Sequence, residues 1–417
     1  MKVLWFELSQ PSGYEQNGLV TGMWQDALED VVRGHEEVEL YIAFESTTYT
    51  DIKKQNGVTY IPLHTSYTWW ENKRKQWTWE VNEKKVLASA LKVIEEVKPN
   101  LIHVFGNEWP FGLVAEKVKD IPVVIHIQGS IVPYNNALYP PGYSEQTLRR
   151  YAGINPIIYW RLWKSRRKSK SNLTMELRTW KCVRHYMGRT IWDKSLVNVL
   201  SPTSSYYHVD EALRPSFLAS NRRWSPIKDG KLRLITIGLS NFWKGPDMLL
   251  KTAHVLMDLG VDFEWKVAGN LGKYYKYVIE KKEGMTFVDN NVKILGFTQP
   301  EELINILCES TIYVHTAYIE NSPNSICEAQ YLGLPVVSTH VGGIETLLDG
   351  GNDGVLVPAN DPWRMANAIL ELAKDNNRMR TYGENGYNHA HSRHKPENIL
   401  RDLMSCYKLV IESQQQY

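Results

Sequence analysis

Short apolar runs alternate with longer amphipathic stretches from one end of the chain to the other. In the first half, residues 3–6, 38–43, 59–62, 101–105, 123–127 and 196–200 are rich in β-branched, aromatic and aliphatic side chains and read as buried strands. Residues 24–32 and 84–96 repeat apolar positions at helical spacing and read as helices between them. In the second half the strand pattern returns at 232–237, 264–268, 292–295, 311–314, 336–338 and 354–357. The first of these is followed by PDMLLKTAHVLMDLG, an amphipathic helix with Pro246 at its start and Gly260 at its end. Strand and helix alternating twice over predict two α/β domains, each built on a parallel sheet. The polar stretch 221–230 (NRRWSPIKDG) reads as the linker between them. The expected division is an N-terminal domain over 1–222, a C-terminal domain over 223–395 and a terminal helix over 396–417.

The stretch 311–343, TIYVHTAYIENSPNSICEAQYLGLPVVSTHVGG, carries the strongest chemical signal. A buried strand stops at an acid, Glu320. Ser322 and Pro323 then open a helix, as N-cap and first helical residue, and Gly333 closes it. A second apolar run ends in Gly342-Gly343. The start of such a helix presents unpaired N–H groups and the positive end of a dipole, which suits a phosphate or diphosphate. Glu328 follows Pro323 by five residues, about 7 Å along the axis. A carboxylate there can hold ribose hydroxyls while Glu320 holds hydroxyls beyond the diphosphate. The plainer reading is a loop acid and a solvated helix position. The placement after a strand and around a helix start favours a nucleotide-sugar site.

ENSPNSICE resembles the Glu-x7-Glu motif of the retaining glycosyltransferases of family 4, the glycosyl transferases group 1 family. YLGLPVVSTHVGG resembles its usual continuation. The likeness is tight in the C-terminal half and loose in the N-terminal half. It implies the GT-B fold: two Rossmann-like α/β domains facing a central cleft, with the last helix, from about Pro396, crossing back to the first domain. It places the acceptor mainly in the first domain and the donor mainly in the second. Donor-binding residues are then Gly238, Lys244, Asn321, Ser322, Asn324, Ser325, Ile326 and Glu328. Glu320 and Lys244 are the catalytic pair.

Lys244 lies just before the helix that opens at Pro246, so by position alone it is either a surface lysine or a cation beside an anion site. In the family a Lys-Gly pair at this place binds the donor diphosphate. The family commonly carries an arginine directly after the glycine corresponding to Gly238, and this chain has Leu239. Arg189 or backbone donors are the expected substitutes. Near the N-terminus, Asn17-Gly18 stands where the family usually has a glycine pair that contacts donor phosphate or acceptor. The turn rules fit an ordinary loop equally well. Gln128 occupies the place of a family histidine that faces the transferred sugar, and His126 reads as a packed strand histidine. His103 is ambiguous, and 106–109 is a candidate acceptor loop. Asn17, Gly18, Gln128 and Arg189 are thus the acceptor or cleft residues expected in the first half.

Composition narrows the classes. The 417 residues exceed one ordinary core, and a hydrophobic content of 43% with 23% charged residues is that of a globular chain. A net charge of +2 gives no field for nucleic acid. The four scattered cysteines read as buried small side chains rather than metal ligands or disulfides. No GxGxxG follows a strand and no GxxxxGK[ST] occurs, which argues against dinucleotide and P-loop sites. MKVLWFEL reads as a first strand rather than a signal peptide, so a cytoplasmic location is expected. Residues 155–170 (NPIIYWRLWKSRRKSK) mix aromatic and basic side chains, which suits either a peripheral helix on anionic lipid or a solvated face.

The function these readings imply is retaining transfer of a sugar from a nucleoside diphosphate to a glycan or lipid-linked acceptor, in surface polysaccharide synthesis. No metal and no cofactor are expected beyond the nucleotide-sugar donor. A UDP-sugar 2-epimerase of the same fold and a non-catalytic nucleotide-sugar or glycan binder are the alternatives.

Overall fold

A computed structural model describes residues 1–14, 24–46, 48–65, 67–78, 81–153, 155–226 and 230–414. The chain packs as two units. Met1–Pro133, Trp160–Arg214 and His394–Tyr417 form the first, and Tyr134–Tyr159 with Pro215–Arg393 form the second.

The first unit holds eight strands among the described residues: β1 (Lys2–Glu7), β2 (Glu39–Ser46), β3 (Lys53–Gln55), β4 (Val58–His64), β5 (Leu101–Phe105), β6 (Val123–His126), β7 (His185–Gly188) and β8 (Ser205–His208). Their order is β3-β4-β2-β1-β5-β6-β7-β8. The pairs are parallel except β3 with β4. Central β1 is buried on both faces, which is why KVLWFE is a continuous apolar run rather than an alternating one. Helix Pro396–Gln414 packs on this unit through Ile399, Leu403, Tyr407 and Val410, which recur on one helical face and are buried. The Tyr407 hydroxyl accepts from Trp5 Nε1 at 2.9 Å and lies 2.7 Å from His103 Nδ1. The last helix therefore returns to the first unit, as the family resemblance implied.

The second unit holds β9 (Leu232–Ile237), β10 (Phe263–Ala268), β11 (Val292–Gly296), β12 (Ile312–His315), β13 (Val336–Thr339) and β14 (Gly354–Val357), in the order β11-β10-β9-β12-β13-β14. All pairs are parallel. Each lies where the apolar pattern put it, to within two residues at either end.

In the first unit four elements differ from the pattern. Residues 196–200 are the last turns of helix Ile191–Leu200, not a strand. Thr190 Oγ1 accepts from the Asp193 N–H, and Asp193 Oδ2 accepts from the Thr190 N–H, both at 3.2 Å. That capping box starts a helix that carries the apolar run with it. Strands β7 and β8 were not apparent in the sequence; HYMG and SYYH have too few aliphatic residues to stand out. Short β3 was not apparent either.

Two further segments pack into the second unit. Trp224, within the expected linker, is buried; its indole donates to the Ser310 carbonyl and its N–H to the Leu332 carbonyl, each at 2.7 Å. Segment Tyr134–Tyr159 is held by two hydroxyls. Tyr143 donates to Glu283 Oε1 at 2.7 Å, and Tyr274 donates to the Leu148 carbonyl at 2.6 Å.

Candidate functional site

In the second sheet the chain lays β9, β10 and β11 outward in one direction, then returns to place β12 on the other side of β9. The loops that leave the C-terminal ends of β9 and β12 therefore diverge across the point where strand order reverses. Open parallel sheets bind ligands there, because diverging loops leave a crevice. The β9 loop carries Gly238 and Lys244, and the β12 loop carries Glu320.

Backbone contacts clasp these two loops together. The Tyr318 N–H donates to the Trp243 carbonyl at 2.7 Å, and Thr316 Oγ1 donates to the Lys244 carbonyl at 3.1 Å. Gly245 is left-handed (φ 72°), and a Cβ on it would stand 1.8 Å from the Thr316 carbonyl oxygen. Only glycine permits that approach. Lys244 Nζ then forms a hydrogen-bonded ion pair with Glu320 Oε2. Behind this pair, the Tyr318 hydroxyl donates to Asp247 Oδ2 at 2.9 Å and Lys251 Nζ lies 3.0 Å from the same oxygen. Asp247 is fully buried, and burial raises its carboxyl above the usual range.

Glu320 is fixed from its other side by the glycine pair. The Gly343 N–H donates to the Glu320 carbonyl at 3.0 Å. Gly342 (φ 55°) lies so close that a Cβ would stand 1.8 Å from the same oxygen. The glycines that ended the apolar run in the sequence are thus the floor beneath the acid. Their role was not apparent there, although two adjacent glycines shortly after a strand were the available signal.

The helix that follows begins later than its sequence suggests. It spans Asn324–Tyr331, and Pro323 precedes it with extended backbone (φ −72°, ψ 116°) rather than occupying the first helical position. Ser322 is not the N-cap. The first intrahelical bond is donated by the Ile326 N–H to the Pro323 carbonyl at 2.9 Å. The N–H groups of Asn324 and Ser325 precede it and mark the anion-binding end. At the C-terminal end Gly333 (φ 80°) stops the helix, its N–H donating to the Gln330 carbonyl at 2.8 Å. Asn321, Ser322 and Ile326 are buried, and Asn324 and Ser325 are half-buried. Glu328 is buried on this helix and contradicts the solvated-face reading.

His315, the last residue of β12, was not singled out by its sequence. It is buried, lies 3.3 Å from the Tyr313 hydroxyl, and is pushed down to about 3 by burial and by nearby Lys244. It is a neutral imidazole beside the ion pair. Leu239, where the family commonly has a cation, is buried and apolar. Gly238 (φ 77°) ends β9, and the Gly238 N–H donates to the Ala268 carbonyl at 2.8 Å. A Cβ on Gly238 would meet no atom within 4 Å.

The first unit carries the other expected residues. Arg189 is buried. Its Nη2 donates to the carbonyls of Ile127 and Gln128, both at 3.2 Å, and its Nε lies 3.7 Å from Glu211 Oε2. Its guanidinium lies 4.9 Å from the centre of the Trp24 ring. These contacts give Arg189 a structural role under the end of β6. Gln128 is half-buried just beyond that strand. His126 is buried against Trp24 and pushed down to about 3, chiefly by burial, as a packed strand histidine would be. In the loop after β5, burial pushes the Glu108 carboxyl up to about 7. Asn107 beside it donates to Glu176 Oε1 at 3.3 Å. Asn17 and Gly18 lie outside the described residues.

Known proteins share both the second unit's sequence and the fold. Residues 219–389 match the family described as "Glycosyl transferases group 1". A D-inositol 3-phosphate glycosyltransferase of Corynebacterium kroppenstedtii is 30% identical over 178 residues, 41% of this chain and 39% of that protein. The chain thus spans about two fifths of the length of this curated relative. Among solved structures, sucrose-phosphate synthase from Thermosynechococcus elongatus superposes with a TM-score of 0.70 at 15% identity, over 99% of both chains. Anabaena HepE in complex with UDP superposes with a TM-score of 0.64 at 14% identity, over 98% of this chain and 100% of that one. The structural likenesses establish the fold, two α/β units of GT-B type, and within it residues 219–389, in the second unit, match the glycosyl transferases group 1 family.

Proposed function

We propose that this chain transfers a sugar from a nucleoside diphosphate to a hydroxyl of a glycan or lipid-linked acceptor, with retention at the anomeric carbon. One observation carries the reading: the Lys244–Glu320 ion pair sits where strand order reverses in the second sheet and joins the loop after β9 to the loop that leads to the helix start at Asn324. The N–H groups of Asn324 and Ser325, together with Lys244, meet the charge of the diphosphate. Glu320 holds hydroxyls of the transferred sugar and stabilises positive charge on its ring. Glu328 holds the ribose. Relatives whose names denote glycosyl transfer, and a fold neighbour solved with UDP, support this choice of ligand.

In the step itself, the bond between the anomeric carbon and the β-phosphate oxygen breaks. A bond from that carbon to the acceptor oxygen forms on the same face. The acceptor proton passes to the departing phosphate oxygen, which becomes part of the nucleoside diphosphate. Lys244 stabilises the charge that grows on that oxygen. With the helix start and Lys244 serving the diphosphate, a divalent cation is not required for this step.

A panel of UDP- and GDP-sugars, read first by thermal shift and then by release of free nucleotide, tests the proposal. A ligand that binds only the folded chain raises its melting temperature. The expected result is stabilisation by one nucleotide series, slow donor hydrolysis with the anomeric configuration kept, and no loss of rate with a chelator. Conversion of a UDP-sugar to its 2-epimer without an acceptor, or binding with no turnover of any donor, contradicts it.

A further inference from the structure

Helix Trp69–Thr78 and the part of helix Pro156–Cys182 from Trp160 onward, both in the first unit, present a surface that the transfer reaction does not explain. Helix Trp69–Thr78 has no buried residue. In helix Pro156–Cys182, Lys164 is the one buried residue before Met175. Apolar side chains normally supply the energy that holds a helix to its domain, yet here they point outward. Trp70 is 76% exposed, Trp77 63%, Trp69 61%, Trp163 45% and Trp160 38%. Among the described residues, Trp363 is the one other tryptophan of comparable exposure. The two helices are joined to each other: the rings of Trp77 and Trp160 meet edge to face at 6.0 Å, and Lys164 Nζ donates to the Gln76 carbonyl. Trp69 and Trp70 lie about two turns before Trp77, and Trp163 about one turn after Trp160, so helical spacing places all five toward the side where the two helices meet.

The charge carried by these helix segments is almost all positive. From Arg161 to Lys170 the chain has Arg161, Lys164, Arg166, Arg167, Lys168 and Lys170, and no acid before Glu176. Helix Trp69–Thr78 has a single acid, Glu71, and it is turned inward. It pairs with Lys85 at 2.6 Å, accepts from Asn82 Nδ2 at 3.1 Å, and is held down to about 2, chiefly by Lys85. Lys73 and Arg74 remain exposed beside Trp69 and Trp70. A basic helix face on its own is usually just solvated. Five clustered, exposed indoles are not usual on a monomer surface, and indole favours the level of lipid headgroups.

We infer that this pair of helices docks the chain on an anionic bilayer, with Trp69, Trp70, Trp77, Trp160 and Trp163 entering the headgroup layer and the surrounding lysines and arginines meeting lipid phosphates. No helix among the described residues is long and apolar enough to cross a membrane, so the contact is interfacial. The inference stands apart from the transfer reaction, because binding to lipid is read without turnover.

The test is co-sedimentation of the full chain with vesicles of phosphatidylcholine alone or mixed with phosphatidylglycerol, together with quenching of tryptophan fluorescence by brominated lipid. The chain is expected to bind the mixed vesicles, to bind neutral ones far less, and to be released by salt. The variant R166S/R167S/K168S should lose roughly tenfold or more in affinity for mixed vesicles. The variant W69S/W70S/W77S should lose binding and most of the quenching. All these side chains are exposed, so both variants should keep the wild-type circular dichroism and melting temperature. Folded wild-type chain that ignores mixed vesicles overturns the inference. So does equal binding by the variants, or a dimer in sedimentation that dissolves with the tryptophan substitutions while lipid binding is absent.

Discussion

Lys244 and Glu320, 76 residues apart in the chain, form a hydrogen-bonded ion pair across the reversal of strand order in the second sheet. Each group holds the other in place, so substituting either should disturb two roles at once. Glu320→Gln keeps the size of the side chain and removes its charge. It should lower kcat by about a hundredfold or more while changing nucleotide affinity little, as for a group that acts on charge developing in the transition state. Lys244→Met should raise the donor KM and lower kcat together. Steady-state kinetics on both variants checks this, and a Glu320→Gln enzyme with wild-type kcat would remove the acid from the mechanism.

Glu328 is buried on the helix that begins at Asn324, so its substitution bears on stability as well as on binding. Glu328→Gln keeps the shape and part of the hydrogen-bonding capacity. Calorimetric titration with the nucleoside diphosphate should show affinity reduced by roughly tenfold, the scale of one or two hydrogen bonds to a charged group. Melting of the unliganded variant separates a binding effect from a folding one.

The clasp makes a prediction about glycine. A Cβ at Gly342 would stand 1.8 Å from the Glu320 carbonyl oxygen, and one at Gly245 the same distance from that of Thr316. Both residues have positive φ. Gly342→Ala and Gly245→Ala should each cost about 2–4 kcal/mol of stability, because clash and backbone strain add. Gly230, also at positive φ, has no atom within 4 Å of its Cβ position, so Gly230→Ala should cost about 1 kcal/mol from strain alone. Denaturant melts rank the three.

The legibility of this chain follows burial. In the second unit the inner strands have neighbours on both sides, and runs such as IYVH and VVST, buried at every position, stand out in the sequence. The family motif lies in the same unit, so the acids and Lys244 could be located by position. The first unit was harder to read. SYYH forms the edge strand of its sheet with polar positions at both ends, and the apolar residues of 196–200 serve a helix whose start is set by Thr190 and Asp193. Arg189 shows a different limit. Sequence marks it as a cation, but only the fold reveals that Glu211 and two carbonyls surround it. Segment Tyr134–Tyr159 packs with the second unit although it lies in the first half of the chain, and no change of composition announces it.

His315 gives a pH dependence with a definite sign. Its imidazole is pushed down to about 3 in the folded chain, first by burial and then by Lys244, against an ordinary value of 6.5. As pH falls below 6.5 the unfolded chain takes up this proton first. The stability that neutral His315 contributes is therefore complete above 6.5 and is lost progressively between 6.5 and about 3. Other buried groups titrate over the same range, so the comparison is with His315→Asn. The melting-temperature difference between wild type and variant should shrink or change sign as pH is lowered through this window. A difference independent of pH would mean that His315 is not buried neutral.

The central claim is that a nucleoside diphosphate lies between Lys244 and the N-terminal end of helix Asn324–Tyr331. A crystal structure with UDP, or with GDP should the thermal-shift panel select it, tests this most directly. The account predicts β-phosphate oxygens within hydrogen-bonding distance of Lys244 Nζ and of the Asn324 and Ser325 N–H groups, with both ribose hydroxyls on Glu328. A nucleotide bound elsewhere on the chain, or bound here with Lys244 and Glu320 both turned away from it, would contradict it.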